Sequence, residues 1–153
     1  MSKLSDLRYE FWHKFYEYTQ TDSNAKKFTE KFGINPPQPS IANSTASYYP
    51  LNTGSGKYAL YCEMKISPCV AADLRLDIKN DPVLLERLTQ HRDELEKVIG
   101  HADKWCKCTG KTYTIIFSTQ CDLANRNAWE RQFEWYCQNA LVIREFLEKY
   151  REK

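Results

Sequence analysis

Apolar residues recur at helical spacing near the start of the chain. From Leu4 to Tyr18 they lie three or four positions apart, which predicts an amphipathic helix. Tyr9, Trp12 and Tyr16 form a second apolar stripe on the same segment. A helix that is apolar on two sides is typically packed between two layers, so we expect Phe11 and Phe15 to face the core and Trp12 to be largely covered.

Two further helices follow from the same periodicity. A short helix is predicted over residues 23–32, where Gly33 suits the C-terminal cap and the prolines that follow prevent continuation. A long helix is predicted over residues 125–152, because its apolar residues alternate between spacings of four and three, as in a heptad seam. These residues are Trp129, Phe133, Tyr136, Ala140, Ile143, Leu147 and Tyr150.

Alternating apolar and polar residues predict strands in the middle of the chain. The predicted strands are residues 46–52, 58–66, 74–79, 104–108 and 113–119. A helix over residues 81–99 interrupts them, with Asp81 as its N-cap, Pro82 at its first position and Gly100 at its end. His91 falls within the apolar stripe of this helix and is expected to be a core or interface histidine.

The resulting order of elements is α-α-β-β-β-α-β-β-α. Three consecutive strands favour the α+β class, with an antiparallel or mixed sheet of about five strands, helices packed on it and a long C-terminal helix. The length of 153 residues suits one hydrophobic core, and the chain contains no internal repeat or linker-like segment. Residues 1–153 are therefore predicted to form a single domain.

Charge and composition narrow the classes of function. The net charge of +2 is lower than that of a dedicated nucleic-acid protein, although a local basic patch is compatible with it. The N-terminus has no apolar signal core and no segment is apolar enough to span a bilayer, so we expect a cytoplasmic protein without a membrane partner. The six cysteines are then reduced thiols, and their spacing predicts no metal site and no cofactor.

Charged residues alternate with the apolar residues of two predicted strands. Glu63, followed after thirteen residues by Asp77 and then Lys79, resembles the acid and Asp-x-Lys pattern of restriction-endonuclease-like nucleases. Under that interpretation the two carboxylates hold Mg²⁺, and Lys79 orients the attacking water. Alternatively these charges belong to an ordinary solvated sheet face, on which Lys65, Arg75 and Lys79 contribute charge for binding.

The last helix also has two interpretations. It is long enough to lie across its own sheet and bury its seam there. Alternatively Trp135, Val142 and Phe146, which flank the seam, pack against a second copy of the chain. The second interpretation predicts a homodimer.

Several segments together resemble one family, the bacterial and archaeal domain of unknown function 4268. The similar segments are residues 8–12 with Phe15 and Tyr18, residues 74–78, residues 94–100, Trp105, Trp129 and residues 133–135. Together these segments, in this order, extend over most of the chain. Arg75 stands where the family often has an acid, which weakens any role carried over to that position.

The resemblance implies a biological process in which the domain acts, and no specific activity. Members of this family often follow a nuclease-like domain in longer proteins, which implies DNA metabolism or defence against foreign DNA. We therefore expect a non-enzymatic accessory domain that binds nucleic acid or a protein partner. The alternatives are a Mg²⁺-dependent nuclease using Glu63, Asp77 and Lys79, and a homodimerisation module.

Overall fold

In the part of the chain that the structure describes, five antiparallel strands form one sheet at the centre of the fold. The computed structural model describes residues 3–33, 48–53, 58–64, 71–120 and 124–151. The strands are β1 (Tyr48–Leu51), β2 (Tyr58–Met64), β3 (Ala71–Lys79), β4 (Lys104–Thr109) and β5 (Thr112–Gln120). Their spatial order is β1-β2-β3-β5-β4. The central strand β3 therefore pairs with β2 on one side and with β5 on the other.

Five helices accompany the sheet within the described ranges. They are α1 (Lys3–Thr21), α2 (Lys26–Phe32), α3 (Pro82–Gln90), α4 (Arg92–Ile99) and α5 (Trp129–Tyr150). A single 3-10 turn precedes α2 and another precedes α5. The α+β class, the helix-covered antiparallel sheet and the long C-terminal helix are thus confirmed. In the part of the chain described, no helix has both the length and the apolar content needed to cross a membrane.

The helix predicted over residues 81–99 is divided in two at His91. Asp81 caps α3 as expected, its Oδ1 accepting a hydrogen bond from the Leu84 amide at 3.0 Å. At His91 the backbone leaves helical geometry, and its amide donates to the Leu88 carbonyl to close α3. The expected core position of His91 is wrong, because the residue is exposed and its ring stacks on Tyr150 at 4.0 Å between centroids. The sequence pattern did not reveal this break, because the leucines of α3 and α4 continue the same helical periodicity across it.

Aromatic side chains fill the layer between α1, α5 and the sheet. Phe11 and Phe15 are fully buried and Trp12 is 3% exposed, which confirms the expectation for the first helix. The Phe11 ring lies 5.0 Å from that of Phe133, and the Phe15 ring lies 5.5 Å from that of Tyr49 on β1. Such tilted and edge-on pairs add to the free energy gained from burial alone. This layer joins both ends of the described chain to the sheet.

The apolar residues of β3 point into the same core. Leu74 and Ile78 are fully buried and Leu76 is 2% exposed. They share the core with residues of α3, α4 and α5. Since successive side chains of a strand point to opposite faces, the odd-numbered residues of β3 lie on the other face of the sheet.

Candidate functional site

The sheet face opposite the helices carries the charged residues that the sequence singles out. On β3 these are Arg75, Asp77 and Lys79, and Asp73 lies on the same face. Directly paired residues of antiparallel strands share a face, so the register also places residues of β2, β4 and β5 there. We call this surface the strand face.

A buried carboxylate fixes an arginine at the middle of the strand face. Asp77 is 6% exposed and accepts hydrogen bonds from Arg75 Nε at 3.1 Å and from Arg75 Nη2 at 3.0 Å. The Thr114 hydroxyl, directly opposite on β5, donates to Asp77 Oδ1 at 2.8 Å. A two-point contact between guanidinium and carboxylate restricts orientation as well as distance. Asp77 therefore positions the Arg75 guanidinium, whose side chain is 41% exposed.

Arg75 also belongs to a row of residues that crosses four strands. The register pairs Tyr61 with Arg75, Arg75 with Ile116, and Ile116 with Lys104. The Arg75 guanidinium carbon lies 5.8 Å from the centre of the Tyr61 ring, within the range of a cation–π contact. Tyr61 and Ile116 are half-buried, and Lys104 is exposed. This surface, which we call the central row, combines an aromatic ring, an aliphatic side chain and two cations.

Cations continue from the central row towards one end of the sheet. Lys79 at the end of β3 and Lys111 in the turn before β5 are both exposed. Lys107 occupies the register position opposite Thr114. We call Arg75, Lys79 and Lys104 the basic end of the strand face. Towards the other end, Glu63 and Asp73 occupy paired positions, and Asp73 accepts a hydrogen bond from the Ser118 hydroxyl at 2.6 Å.

On this surface the two aspartates of β3 are buried and two of the lysines are exposed. Asp73 and Asp77 are 5% and 6% exposed and both are hydrogen-bonded within the sheet. Lys79 and Lys104 are exposed to solvent. A long side chain keeps its charged head in water, whereas a short aspartate is covered by its cross-strand neighbours. The strand face therefore presents positive charge to solvent around Arg75.

Comparison with known proteins places the chain in a family. The family model described as Domain of unknown function (DUF4268) matches residues 7–151. The chain belongs to this family. No curated protein and no solved structure matches the chain. The matched range contains the whole strand face.

The three residues of the predicted nuclease centre are not brought together in this member of the DUF4268 family. The register places Glu63 opposite Asp73, whereas Asp77 lies opposite Ala59. Glu63 and Asp77 are thus offset by four residues, about 14 Å along an antiparallel strand. Asp77 already accepts three hydrogen bonds from Arg75 and Thr114. Among the described residues there is no group of His, Cys, Asp or Glu that could hold a metal ion.

The predicted binding residues are placed differently from one another in this DUF4268 domain. Arg75 and Lys79 lie on the same face of β3, two residues apart. Lys65 falls outside the described residues. Of the predicted pair on β3, Arg75 is fixed by Asp77 and Lys79 is exposed at the strand end.

The flank of α5 provides less surface for a second copy than the sequence suggested. Phe146 is 5% exposed and its ring packs 5.0 Å from that of Tyr150 in the same chain, so its expected place at an interface is wrong. Trp135 and Val142 are half-buried. The homodimer remains a prediction, which light scattering at micromolar concentration tests.

A polar cluster at the end of α5 is explained by packing. Lys149 Nζ lies 2.7 Å from Glu94 Oε1, and the Tyr150 hydroxyl donates to the other oxygen of the same carboxylate. These hydrogen bonds lower the pKa of Glu94 below its ordinary value. Because its members satisfy one another and join α4 to α5, the cluster fastens two helices and we assign no ligand to it.

Sequence reasoning missed Tyr61, Thr114 and Lys104 as members of the site. Thr114 contacts Asp77 from 37 residues away along the chain. Alternation of polar and apolar residues assigns each residue to a face of its own strand, but it does not say which strand lies alongside. No signal in the sequence paired β5 with β3.

Proposed function

We propose that this domain is a non-catalytic accessory module that binds nucleic acid through the strand face. We further propose that it acts in DNA metabolism or in defence against foreign DNA, the setting that its family resemblance implies. The observation that carries the binding proposal is the oriented Arg75 within the basic end.

An arginine held by a carboxylate is well suited to contact phosphate. Asp77 fixes the plane of the Arg75 guanidinium, so less conformational entropy is lost when the guanidinium meets an anion. Lys79 and Lys104 add mobile charges on either side of it along the strand face. Contacts from arginine and lysine to phosphates supply most of the affinity in sequence-independent binding of nucleic acids.

The modest net charge of the chain is compatible with this proposal. The total of +2 averages 22 basic and 20 acidic residues over the whole chain. On the strand face the two described aspartates are buried, whereas Lys79 and Lys104 are exposed. Nucleic acid approaching the basic end therefore meets exposed lysines, a local feature that the average over the whole chain conceals.

Binding of a fluorescent oligonucleotide, followed by anisotropy over a range of salt concentrations, tests the proposal. We expect affinity to fall steeply with salt, because each phosphate contact releases counterions. Replacing Lys79 and Lys104 together by alanine should reduce the slope of log affinity against log salt by about two. The matched control replaces the exposed Lys27 and Lys97 on α2 and α4, and should leave the slope unchanged. Equal slopes for the two variants, or binding only to a protein partner, would overturn the proposal.

A nuclease assay addresses the alternative function directly. We expect no cleavage of plasmid, linear duplex or single-stranded DNA in the presence of Mg²⁺ or Mn²⁺. The reason is that Asp77 is engaged by Arg75 and Thr114 and lies four residues out of register with Glu63. Cleavage that disappears in a folded Asp77→Asn variant would instead support the nuclease of Glu63, Asp77 and Lys79.

A further inference from the structure

We infer that the strand face takes a single strand of nucleic acid, with bases against the central row and phosphates on the cations around it. This inference rests on the proposed function and specifies its ligand. It is drawn from three features of the strand face: its width, its half-buried apolar side chains and the arrangement of its charges.

The width of the sheet argues against recognition of bases in the major groove of a DNA duplex. Five strands are separated by four spacings of about 4.8 Å, so the sheet is about 19 Å across. The major groove of DNA is about 12 Å wide and admits a helix or a two-stranded ribbon. A face formed by five strands is too broad to enter it. The bases of an unpaired strand can reach the same surface because they are not enclosed in a groove.

The central row offers surfaces that suit bases. Tyr61 and Ile116 are half-buried, so each presents part of an apolar side chain to solvent. Arg75 lies between them in the register; its side chain is 41% exposed, and its guanidinium is held by Asp77. Aromatic rings and arginine planes are the usual stacking partners of unpaired bases, and they accept any base because every base has a π face.

The cations are placed where the backbone of such a strand would run. Lys104 lies at the β4 end of the central row, beyond Ile116. Lys79 lies opposite Thr112, two residues further along β3 than Asp77. Lys111 is in the turn that leads into β5. A strand on the central row therefore meets Lys104 at one end of the row and lies on the same face of the sheet as Lys79, and both charges are complementary to its phosphates.

Four probes of the same length separate the contributions of bases and phosphates. They are single-stranded DNA, single-stranded RNA, duplex DNA, and an abasic strand that has the backbone without bases. We expect the single strands to bind at least about tenfold more tightly than the abasic strand, since stacking contributes about that much per base. We expect the duplex to bind more weakly than either single strand.

Variants of the central row sharpen the test. Tyr61→Ala should lose about tenfold in affinity for single strands, whereas the control Lys27→Ala on α2 should bind them like the wild-type domain. Tyr61→Ala should lose less affinity for the abasic strand than for the single strands, a result that a general loss of structure would not give. If Tyr61→Ala does not fold, the comparison of single strand with abasic strand in the wild-type domain decides the question.

The outcomes distinguish this inference from the proposed function. Duplex binding as tight as single-strand binding, with the salt dependence of Lys79 and Lys104 intact, would overturn the inference and leave nucleic-acid binding standing. An abasic strand that binds as tightly as the single strand would also overturn the inference. Absence of binding to all four probes would remove both.

Discussion

The two faces of the central sheet differ in what stabilises them. On β3, Leu74, Leu76 and Ile78 are buried against the helices, and their contribution comes from removing apolar surface from water. On the strand face, Arg75 and Asp77 are held by hydrogen bonds to each other and to β5. Removing a buried apolar side chain leaves a cavity, whereas a polar group near solvent can be rehydrated. We therefore expect substitutions on the core face to affect folding and those on the strand face to affect binding.

The largest effect is expected in the aromatic layer. Phe11→Ala should lower the free energy of unfolding by about 3–5 kcal/mol, because Phe11 is fully buried among Trp129, Phe133 and Tyr136. Denaturant unfolding measures the loss. Lys14→Ala on the same helix, an exposed position, is the control and should change stability by no more than about 0.5 kcal/mol. A loss below about 1 kcal/mol for Phe11→Ala would show that α1 does not pack as described.

A pair of substitutions on one strand compares the faces most directly. Leu76→Ala should cost about 2–5 kcal/mol, as expected for a leucine that is 2% exposed. Lys79→Ala on the same strand should cost no more than about 0.5 kcal/mol, because its side chain is exposed. Urea unfolding gives both values. Similar losses for the two variants would contradict the assignment of faces.

On the strand face we expect a smaller loss of stability, in which the contributions of Asp77 and Thr114 depend on each other. Asp77→Ala should lower stability by about 1–2 kcal/mol, because it removes the acceptor for Arg75 and Thr114 while leaving Arg75 accessible to water. A double-mutant cycle with Thr114→Val isolates the hydrogen bond between the two strands. We expect the two losses to be less than additive. Strict additivity would mean that the Asp77 to Thr114 hydrogen bond contributes nothing to stability.

The smallest effect on stability is expected at acid pH and comes from the carboxylate of Glu96 on α4. Burial raises the pKa of Glu96, but hydrogen bonds from the Ala102 amide and from Arg92 outweigh burial and lower the pKa below 4.5. A carboxyl whose pKa is lower in the folded state stabilises the fold above its unfolded pKa and loses that contribution as pH falls through the folded pKa. Stability should therefore decrease as the pH falls below 4.5, and Glu96→Gln should reduce that decrease.

Urea unfolding at a series of pH values between neutral and acid checks this prediction. Thr89→Ala, a nearby substitution without a titrating group, should shift the whole curve without changing its pH dependence. If Glu96→Gln gives a curve parallel to that of the wild-type domain, Glu96 has the same pKa in the folded and unfolded states.

The candidate site was less predictable from sequence than the core. Phe11, Phe15 and the leucines of β3 were assigned correctly because helical and strand periodicity identify the buried side of each element. The break at His91 was missed because the apolar positions on both sides of it stay in phase. Phe146 was misplaced because the pattern of α5 does not show that this residue is buried within its own chain.

The sequence by itself determined the α+β class, most of the elements and the face on which each strand residue lies, because the side-chain period of a helix or strand is a local property. Only the tertiary structure decided that β5 lies beside β3, so that Thr114 contacts Asp77, and that Glu63 is paired in register with Asp73. A period of two fixes the face of a side chain but not the strand or the position opposite it. The fixed Arg75 and the cations around it result from that register.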